Sequence, residues 1–506
     1  MQACKKIYKP LVLKHCKNLH GDGIFFMQSA TQTQTSNAID PTGKRVAGIS
    51  QYLRLVVRLL PSLSVELVFT ALDKIHTFQW SPDGNFILAS VPAQGVAHVW
   101  SIDDPDWSCR VDAGSCGLSH ALWHPARPGN IFVYSDFNLK VDVWNLRTES
   151  RCALLGVKDN FTPVLSNDGR HAIFLTCRGG KDTAHIISVN GEDDLSFRLF
   201  LSIPLTGTVD IAGVCWTSND EFFVAWESPL NPFVYMFDRS GVLIKKLDLF
   251  EDQSYHQLGI RTVQQTRFLL ALGCYNSSIR LFSIKEGLRP IAVLDCYGDT
   301  QLVINDFPTI WRENLGGSCT VRDQNIYTLG GSNTNGFPVE YTELVPEENT
   351  VKLPEMSVPV PSTNLKGRAA IATGPPTCGV SQIAFSPDGR YLASTCDSTP
   401  SVVRIFDLTK LNIHCVLIHR QPVRDFQWNP ARIADLSQLG IVTCDTNLFI
   451  WTPVNDNKTI SMNDESFKPT AISWTPSGIC AVLSDGDKVL SVTSNPGIDY
   501  FGGYLN

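Results

Sequence analysis

Short apolar runs that end in tight polar turns recur along most of the chain. The clearest example is Phe78–Ser90, in which a period-two run ends at Trp80, a Pro-Asp-Gly turn follows at 82–84, and an apolar run resumes at Phe86. Val96–Trp100 supplies a third run. Alternation with period two is typical of a half-buried strand, and Pro-Asp-Gly is typical of a chain reversal. The segment therefore predicts three antiparallel strands.

The same pattern returns throughout the sequence, which indicates a repeat protein. The positions equivalent to Trp80 are Ile39, Trp80, Trp123, Leu165, Trp216, Val263, Phe385, Trp428 and Trp474. Neighbouring anchors lie 41 to 51 residues apart, except for one step of 122. Periods of about 40–45, with three visible strands and a weaker fourth, are the spacing of propeller blades. We therefore predict an all-β propeller of about nine four-stranded units.

The arrangement of these units is less constrained than their number. One large ring is the arrangement that we expect, because a blade exposes two apolar faces and needs a neighbour on each side. A seven- or eight-bladed ring with the irregular first unit outside it is an alternative, as are two smaller propellers divided near residue 300. The last blade needs a partner strand for closure, for which Ile24–Met27 is a candidate.

The repeats divide the chain into five segments. They are an irregular basic N-terminal segment (1–38), repeats one to six (39–299), a Pro/Gly/Thr-rich insertion (300–376), repeats seven to nine (377–492) and a tail (493–506). The insertion accounts for the long step between anchors, and at this length we expect a largely flexible excursion with a few strand-like pieces.

The amino-acid composition limits the cellular compartments in which we expect the protein. With 43% hydrophobic residues the chain can bury a large core, and it has no apolar run of the roughly eighteen residues that a membrane span requires. The first residues lack the long apolar stretch of a secretory signal. Fifteen cysteines are scattered singly, mostly in apolar runs, where reduced thiols act as small hydrophobic residues. These features favour a cytosolic or nuclear protein.

Charge argues against several partners. The chain has 42 Lys and Arg residues against 49 Asp and Glu residues, which gives a net charge of −7. A mildly acidic protein is a poor candidate for direct capture of nucleic acid, anionic membrane or the acidic microtubule surface. We therefore expect neither nucleic acid nor membrane among its partners.

The units resemble degenerate WD repeats. They contain the Trp-Ser-Pro-Asp-Gly core and end in an aromatic residue, as at Trp100, Trp144 and Trp451. Asp136 and Asp397 lie at or near the expected turn aspartate, as does Asp445. The Gly-His pair that usually opens such a repeat is not recognisable, so the hydrogen-bonded scaffold of the repeat is incomplete.

Four segments point to one family within this class. They are Leu53–Arg58, Val99–Ser115, Ile304–Asp306 and Pro422–Trp428. Their content and order resemble the WRAP family of WD-repeat proteins of the centrosome and spindle pole, and the resemblance extends over about residues 39–492. The second segment is the most specific, because a blade does not require its Pro-x-Trp-x-Cys string. The first 38 residues do not match the short start of the family.

The resemblance implies a function and a location. It implies a non-enzymatic scaffold that helps to anchor microtubule minus ends and to assemble the spindle, in the cytoplasm and on the cytoskeleton at the centrosome or spindle pole. The implied partners are a coiled-coil anchoring protein of the SSX-interacting type and a minus-end-directed kinesin, with microtubules contacted indirectly. A propeller in an RNA or translation-initiation complex is the alternative, which the acidic balance disfavours.

The sequence offers no convincing catalytic or metal-binding set. Residues 113–117 superficially resemble a nucleophile elbow but lack its first glycine. Cys4, His15, Cys16 and His20 have no zinc-knuckle spacing. We therefore expect no catalytic residues, no cofactor and no metal.

Two tryptophans lie outside the repeat register and are candidates for a protein interface. They are Trp107, with Pro105 beside it, and Trp311. An aromatic side chain that the repeat does not require is a candidate anchor for a partner. Partial burial against the neighbouring blade is the simpler alternative for both.

Overall fold

The computed structural model describes most of the repeats and small parts of the insertion. The described residues are 39–124, 127–158, 163–166, 168, 170–188, 199–217, 220–227, 233–249, 260–266, 268–275, 277–295, 301–303, 309–315, 326–328, 339–343, 350–352, 379–431, 437–453, 458–461, 467–485 and 489–493. Within these ranges the chain forms β-strands and three single-turn 3-10 helices, at Pro92–Gln94, Gly114–Cys116 and Asp136–Asn138. The N-terminal basic segment and Ile24–Met27 lie outside the described residues.

The chain forms two compact units. The first comprises Met1–Thr206, Tyr327–Gly331 and Met462–Asn506, and the second comprises Gly207–Ile326 and Ser332–Ser461. The division therefore falls after residue 206 rather than near residue 300, and both ends of the repeat array belong to the first unit. The alternative of two propellers divided near residue 300 does not match this division.

The first unit contains sheets 1 to 4 and sheet 9, all antiparallel. Sheet 1 has β1 (Arg45–Ser50), β2 (Arg54–Leu59) and β3 (Val65–Thr70). Sheet 2 has β4 (Thr77–Trp80), β5 (Phe86–Val91), β6 (Val96–Ser101) and β7 (Ser108–Asp112). Sheet 3 has β8 (His120–His124), β9 (Arg127–Tyr134), β10 (Lys140–Asn145) and β11 (Ser150–Leu155). Sheet 4 has β12 (Val164–Leu165), β13 (His171–Arg178), β14 (Lys181–Ser188) and β15 (Leu199–Pro204).

The second unit contains sheets 5 to 8. Sheet 5 has β16 (Ile211–Trp216), β17 (Phe222–Glu227), β18 (Phe233–Asp238) and β19 (Leu243–Asp248). Sheet 6 has β20 (Ile260–Gln265), β21 (Leu269–Cys274), β22 (Ser278–Ser283) and β23 (Arg289–Asp295). The insertion carries β24 (Gln301–Val303), β25 (Thr309–Leu315), β26 (Ile326–Thr328), β27 (Val339–Glu343) and β28 (Thr350–Lys352).

The remaining strands complete the array. Sheet 7 has β29 (Val380–Phe385), β30 (Tyr391–Cys396), β31 (Thr399–Asp407) and β32 (Asn412–Ile418). Sheet 8 has β33 (Val423–Trp428), β34 (Leu439–Thr443), β35 (Asn447–Trp451) and β36 (Lys458–Ser461). Sheet 9, in the first unit, has β37 (Ala471–Trp474), β38 (Cys480–Ser484) and β39 (Val489–Thr493). Nine blade-type sheets in the described part of the chain confirm the predicted all-β propeller class.

A hydroxyl that follows the anchor residue fixes the turn between the first two strands. Ser81 Oγ accepts a 2.9 Å hydrogen bond from the Phe86 amide, while Gly84 takes φ 75° in the turn between them. The same five-residue clamp recurs at Ser166, Thr217, Ser386 and Thr475. In sheet 1 a carboxylate replaces the hydroxyl, and Asp40 Oδ1 accepts from the Arg45 amide at 2.9 Å. The geometry of this turn therefore explains why the Ser-Pro-Asp-Gly string recurs.

Sheet 1 is an integral part of the first unit. At the start of the described residues, Ile39 forms a bridge with Val46, which corresponds to the pairing of Trp80 with Ile87 in sheet 2. One face of sheet 1 packs on sheet 2 through a cluster that includes Leu55, Phe69 and Trp100. Its other face packs on sheet 9 through the cluster Val46, Val56, Leu63, Cys480, Val482 and Val489. Because it has a neighbour on each side, the alternative of a first unit outside the array is wrong.

Candidate interaction surface

The first predicted interface residue, Trp107, is packed into the core of the first unit. Its ring meets Phe86 edge-on at 5.5 Å between centroids, within the cluster that joins sheets 2 and 3. A β-turn places it there, because the Trp107 amide donates a 2.9 Å hydrogen bond to the Asp104 carbonyl and Pro105 takes the second position, which suits a fixed φ. Trp107 and Pro105 are both partly buried.

The second predicted interface residue, Trp311, lies in an interior strand. The backbone of β25 runs between β27 and β32, and Trp311 is opposite Glu343 on one side and Leu417 on the other. The side chain of Trp311 is outside the described part of the structure. The insertion thus contributes a parallel strand to sheet 7, and Trp311 belongs to that strand.

A loop of sheet 3 presents an apolar tip that the sequence reading did not single out. Phe137, between β9 and β10, exposes 93% of its surface. Leu139 exposes 57%, and Leu155 at the end of β11 exposes 56%. Leu139 and Leu155 adjoin, since the Gly156 amide donates a 3.2 Å hydrogen bond to the Leu139 carbonyl. We refer to Phe137, Leu139 and Leu155 as the apolar loop tip.

Hydrogen bonds hold the base of this loop. Ser135 Oγ accepts from the Lys140 amide at 2.9 Å and donates to the Lys140 carbonyl at 2.9 Å, and the Ser135 amide donates to the same carbonyl at 3.0 Å. Phe137 takes φ 55°, in the left-handed region that a bulky residue rarely occupies. Such a conformation costs on the order of 1–3 kcal/mol and persists only where the surroundings impose it.

The other end of the loop contacts the preceding loop. The Asp136 carboxylate lies directly against Gly117, where an added side chain would overlap it. Gly117 also takes φ 67° with ψ 179°, a combination almost restricted to glycine. The glycine therefore leaves room for the Asp136 side chain beside Phe137.

The charges beside the tip are internally neutralised. Asp142 on β10 exposes 1% of its surface and accepts from Lys140 Nζ at 2.8 Å and from Arg151 Nη2 at 2.9 Å. These three groups sum to +1, and Asp136 in the same loop brings the sum to zero, which leaves little net field for steering a charged ligand. The tip is therefore a surface for apolar rather than ionic recognition.

A second apolar group lies on a turn of sheet 1. Tyr52 and Leu53 follow β1 and expose 43% and 41% of their surfaces, and Leu72 after β3 exposes 60%. Lys74 Nζ lies 4.7 Å from the centre of the Tyr52 ring, and the Ile75 amide donates a 2.9 Å hydrogen bond to the Tyr52 carbonyl. Tyr52 also takes a positive φ, 60°. This turn, like the sheet 3 loop, presents an aromatic residue on a constrained backbone.

One position of the third strand carries buried polar groups, two residues before the strand's closing apolar residue. The residues at this position are His98, Asp142, His185, Tyr235, Arg280 and Arg404. Each occupies a different sheet and has its own local contacts: Tyr235 donates to Glu227 at 2.7 Å, and Arg404 donates to Thr399 at 3.0 Å. Burial lowers the pKa of His98 to about 4, with a contribution from Arg110. Each of these polar groups thus lies in its own sheet.

The remaining predictions concern a metal site, a nucleophile elbow and a membrane-spanning segment. No group of three or more His, Cys, Asp or Glu side chains suited to a metal ion occurs among the described residues. Cys4, His15, Cys16 and His20 lie outside them. Gly114–Cys116 forms a 3-10 turn in the loop that follows β7, which is not a strand-to-helix elbow. No helix in the described ranges is long and apolar enough to span a bilayer.

One repeat of the chain matches the model of a known family. Residues 369–407, which include β29, β30 and β31, match the model of the WD domain, G-beta repeat. This unit of the chain is a WD repeat. It contains the turn string Ser386-Pro387-Asp388-Gly389, which also occurs at residues 81–84.

Two curated proteins resemble this WD-repeat chain over most of its length. It is 28% identical to the mouse (Mus musculus) WD repeat-containing protein WRAP73 over 450 residues, which are 88% of this chain and 91% of the mouse protein. It is 21% identical over 483 residues to an uncharacterized WD repeat-containing protein of Schizosaccharomyces pombe, covering 92% of this chain and 86% of the yeast protein. The predicted resemblance to the WRAP family is thus confirmed.

Among solved structures, dihydro-heme d1 dehydrogenase NirN in complex with DHE aligns with a TM-score of 0.44 at 13% identity, over 75% of this chain and 65% of that one. A likeness at this level indicates nothing about function.

Proposed function

We propose that this WD-repeat protein is a non-enzymatic scaffold of the centrosome or spindle pole, where it helps to anchor microtubule minus ends and to assemble the spindle. The apolar loop tip is the observation that supports a scaffold most directly. A rigidly held, exposed phenylalanine flanked by two leucines has the properties of an interface anchor, because it loses little conformational freedom on binding.

The assignment to the pole rests on the resemblance to WRAP73. The match covers 88% of this chain. Within the sequence, the segment Val99–Ser115 carries the resemblance most specifically, because the blade does not require its Pro105-x-Trp107 string. We propose a coiled-coil anchoring protein of the SSX-interacting type as the main partner, with a minus-end-directed kinesin joining the assembly. The location that follows is the cytoplasm, on the cytoskeleton at the pole.

The apolar loop tip suits a coiled-coil partner. A helix of a coiled coil presents an apolar stripe of residues three and four positions apart. Phe137 with Leu139 and Leu155 supplies an apolar counterpart. The charges of Asp136, Lys140, Asp142 and Arg151 beside it sum to zero, so they oppose neither sign on the helix. The recognition is therefore of the helix-on-apolar-surface type.

Purification of the tagged chain from dividing cells, together with imaging of its location, tests the proposal. We expect recovery of a coiled-coil pole protein and a signal at the spindle poles that overlaps with microtubule minus ends. Recovery of ribosomal subunits without any coiled-coil pole protein, or a signal absent from the poles, would contradict the proposal.

A further inference from the structure

In sheet 7 an additional strand from the insertion, β25, pairs with the fourth strand of the blade, β32. β25 pairs in parallel with β32 through four residue pairs, from Thr309 opposite Cys415 to Arg312 opposite Ile418. The four residues of β32 in this pairing expose between 0% and 2% of their surfaces. The added strand β25 therefore covers the edge of sheet 7 that its fourth strand, β32, would otherwise expose to solvent.

The outer strand of sheet 6 lacks such a cover within the described ranges. β23 is the last strand in its sheet, and Ile291 and Val293 expose 39% and 50% of their surfaces. Unpaired edge strands with exposed β-branched residues are templates for strand addition. Pro290 has no amide hydrogen, and the register against β22 shifts between Leu281 and Phe282, which leaves Ile291 as the extra residue of a bulge. The stretch Ile291–Leu294 remains for pairing and is regular from Ala292 onward.

Basic side chains surround this edge. Between Ser278 and the end of β23 at Asp295, the chain carries Arg280, Lys285 and Arg289 against Glu286 and Asp295, and Arg289 pairs with Glu286 at 3.1 Å. Lys245 reaches from β19, and its Nζ donates to the carbonyls of Gly287 and Leu288 at 3.3 and 3.2 Å. Arg280 is the cross-strand neighbour of Val293. These six charged side chains sum to +2, whereas the whole chain carries −7.

We propose that β23 is a docking edge for an extended segment of a partner protein in which apolar and acidic residues alternate. The segment adds as a fifth strand of sheet 6: its backbone pairs with Ile291–Leu294, its apolar side chains cover Ile291 and Val293, and its carboxylates face Arg280, Arg289 and Lys245. Strand addition gives affinity through main-chain hydrogen bonds and specificity through alternate side chains. A second copy is a poorer occupant, because its own positive edge would meet this one.

The probe for this inference is a fluorescein-labelled octapeptide of alternating glutamate and valine, and its binding to the full chain is followed by fluorescence anisotropy. We expect saturable binding that Val293→Glu weakens by about tenfold, since the variant adds a like charge and removes an apolar contact. Val65→Glu, at a 46% exposed position on the outer strand of sheet 1, is the matched control, and it is expected to bind the peptide as the wild type does. Hydrogen exchange is expected to show peptide-dependent protection of Ile291–Leu294.

Several results would overturn the inference. They are equal binding of a lysine-valine octapeptide, undiminished binding to Val293→Glu, and protection that appears elsewhere than β23. A wild-type dimer in sedimentation that Val293→Glu dissociates would assign the edge to a second copy instead. If Val293→Glu alters the near-ultraviolet circular dichroism, Arg289→Glu replaces it, with the same expected loss. This proposal concerns the second unit and does not depend on the coiled-coil partner.

Discussion

The indole Nε1 of Trp123 donates a 3.0 Å hydrogen bond to the backbone carbonyl of Gln79, forty-four residues earlier in the chain. The Gln79 side chain returns the contact, because its Oε1 accepts from the Trp123 amide at 3.0 Å. In the second unit Trp428 Nε1 donates to the Ala384 carbonyl at 3.0 Å. The anchor tryptophans thus join the first strands of successive sheets, in addition to filling the core.

We predict that Trp123→Phe destabilises the fold more than Trp144→Phe does. Both substitutions shrink a buried ring of sheet 3, but only the first breaks a hydrogen bond to a buried carbonyl; Trp144 Nε1 has no partner in the described part of the structure. The expected difference is about 1–2 kcal/mol in the free energy of unfolding, measured by urea denaturation. Equal losses would show that the indole hydrogen bond does not stabilise the sheet pair.

We predict that Gly117→Ala impairs the sheet 3 loop and that Gly114→Ala does not. Both glycines have positive φ, 67° and 74°, so each variant carries backbone strain of about 1–2 kcal/mol. The strain is expected to be larger at Gly117, because its ψ of 179° is almost restricted to glycine. Only Gly117→Ala also places a Cβ against the Asp136 carboxylate, which must move aside within the loop that holds Phe137. We expect the Gly117 variant to be the less stable in thermal unfolding and to recover less coiled-coil partner. Similar behaviour of the two variants would exclude this contact as the determinant of the loop position.

We predict that His98 makes the protein less stable as the pH falls. Burial holds the folded-state pKa at about 4 against an ordinary value of 6.5, so the unfolded chain binds more protons between these values. The contribution is absent above pH 6.5, and the loss grows as the pH falls toward 4, where it reaches about 3 kcal/mol and levels off.

Urea denaturation at several pH values tests this expectation. His98→Leu has no titratable group at this site and is expected to lose less stability than the wild type between pH 7 and pH 4.5. Parallel profiles for the two proteins would rule out His98 as a source of the acid sensitivity.

The strands of the array could be predicted from the sequence because each requires only local information. The anchor, the hydroxyl after it and the turn glycine lie within five residues, as from Trp80 to Gly84. The cover on β32 could not be predicted, since Thr309 and Cys415 are far apart in sequence and their pairing leaves no pattern in either segment.

The candidate site was harder to predict. Trp107 lies outside the repeat register, yet the Pro105 turn directs it onto Phe86, a contact that repeat spacing alone does not reveal. Phe137 was not predicted as an interface residue, because a lone aromatic residue in a short loop is normally buried. The sequence contains one indication of this loop tip, the string Asp136-Phe137-Asn138-Leu139, which places two apolar residues at a turn. The structure adds that Asp136 of this string lies against Gly117.

We predict that the purified chain alone co-sediments only weakly with microtubules at physiological salt. A protein of net charge −7 is repelled by the acidic microtubule surface, so the partner must supply the attachment. Adding the coiled-coil partner is expected to increase the amount in the pellet severalfold. Strong sedimentation of the chain by itself would contradict the indirect attachment.

The scaffold account is tested most directly by the amount of coiled-coil partner that Phe137→Asp recovers from dividing cells. Phe137 is 93% exposed, so the variant is expected to fold normally and to lose the partner by about tenfold, since a charge replaces the apolar anchor. Leu411→Asp, at an exposed positive-φ turn of sheet 7, is the matched control and is expected to recover the partner as the wild type does. Undiminished recovery by Phe137→Asp, with the fold intact, would contradict the account.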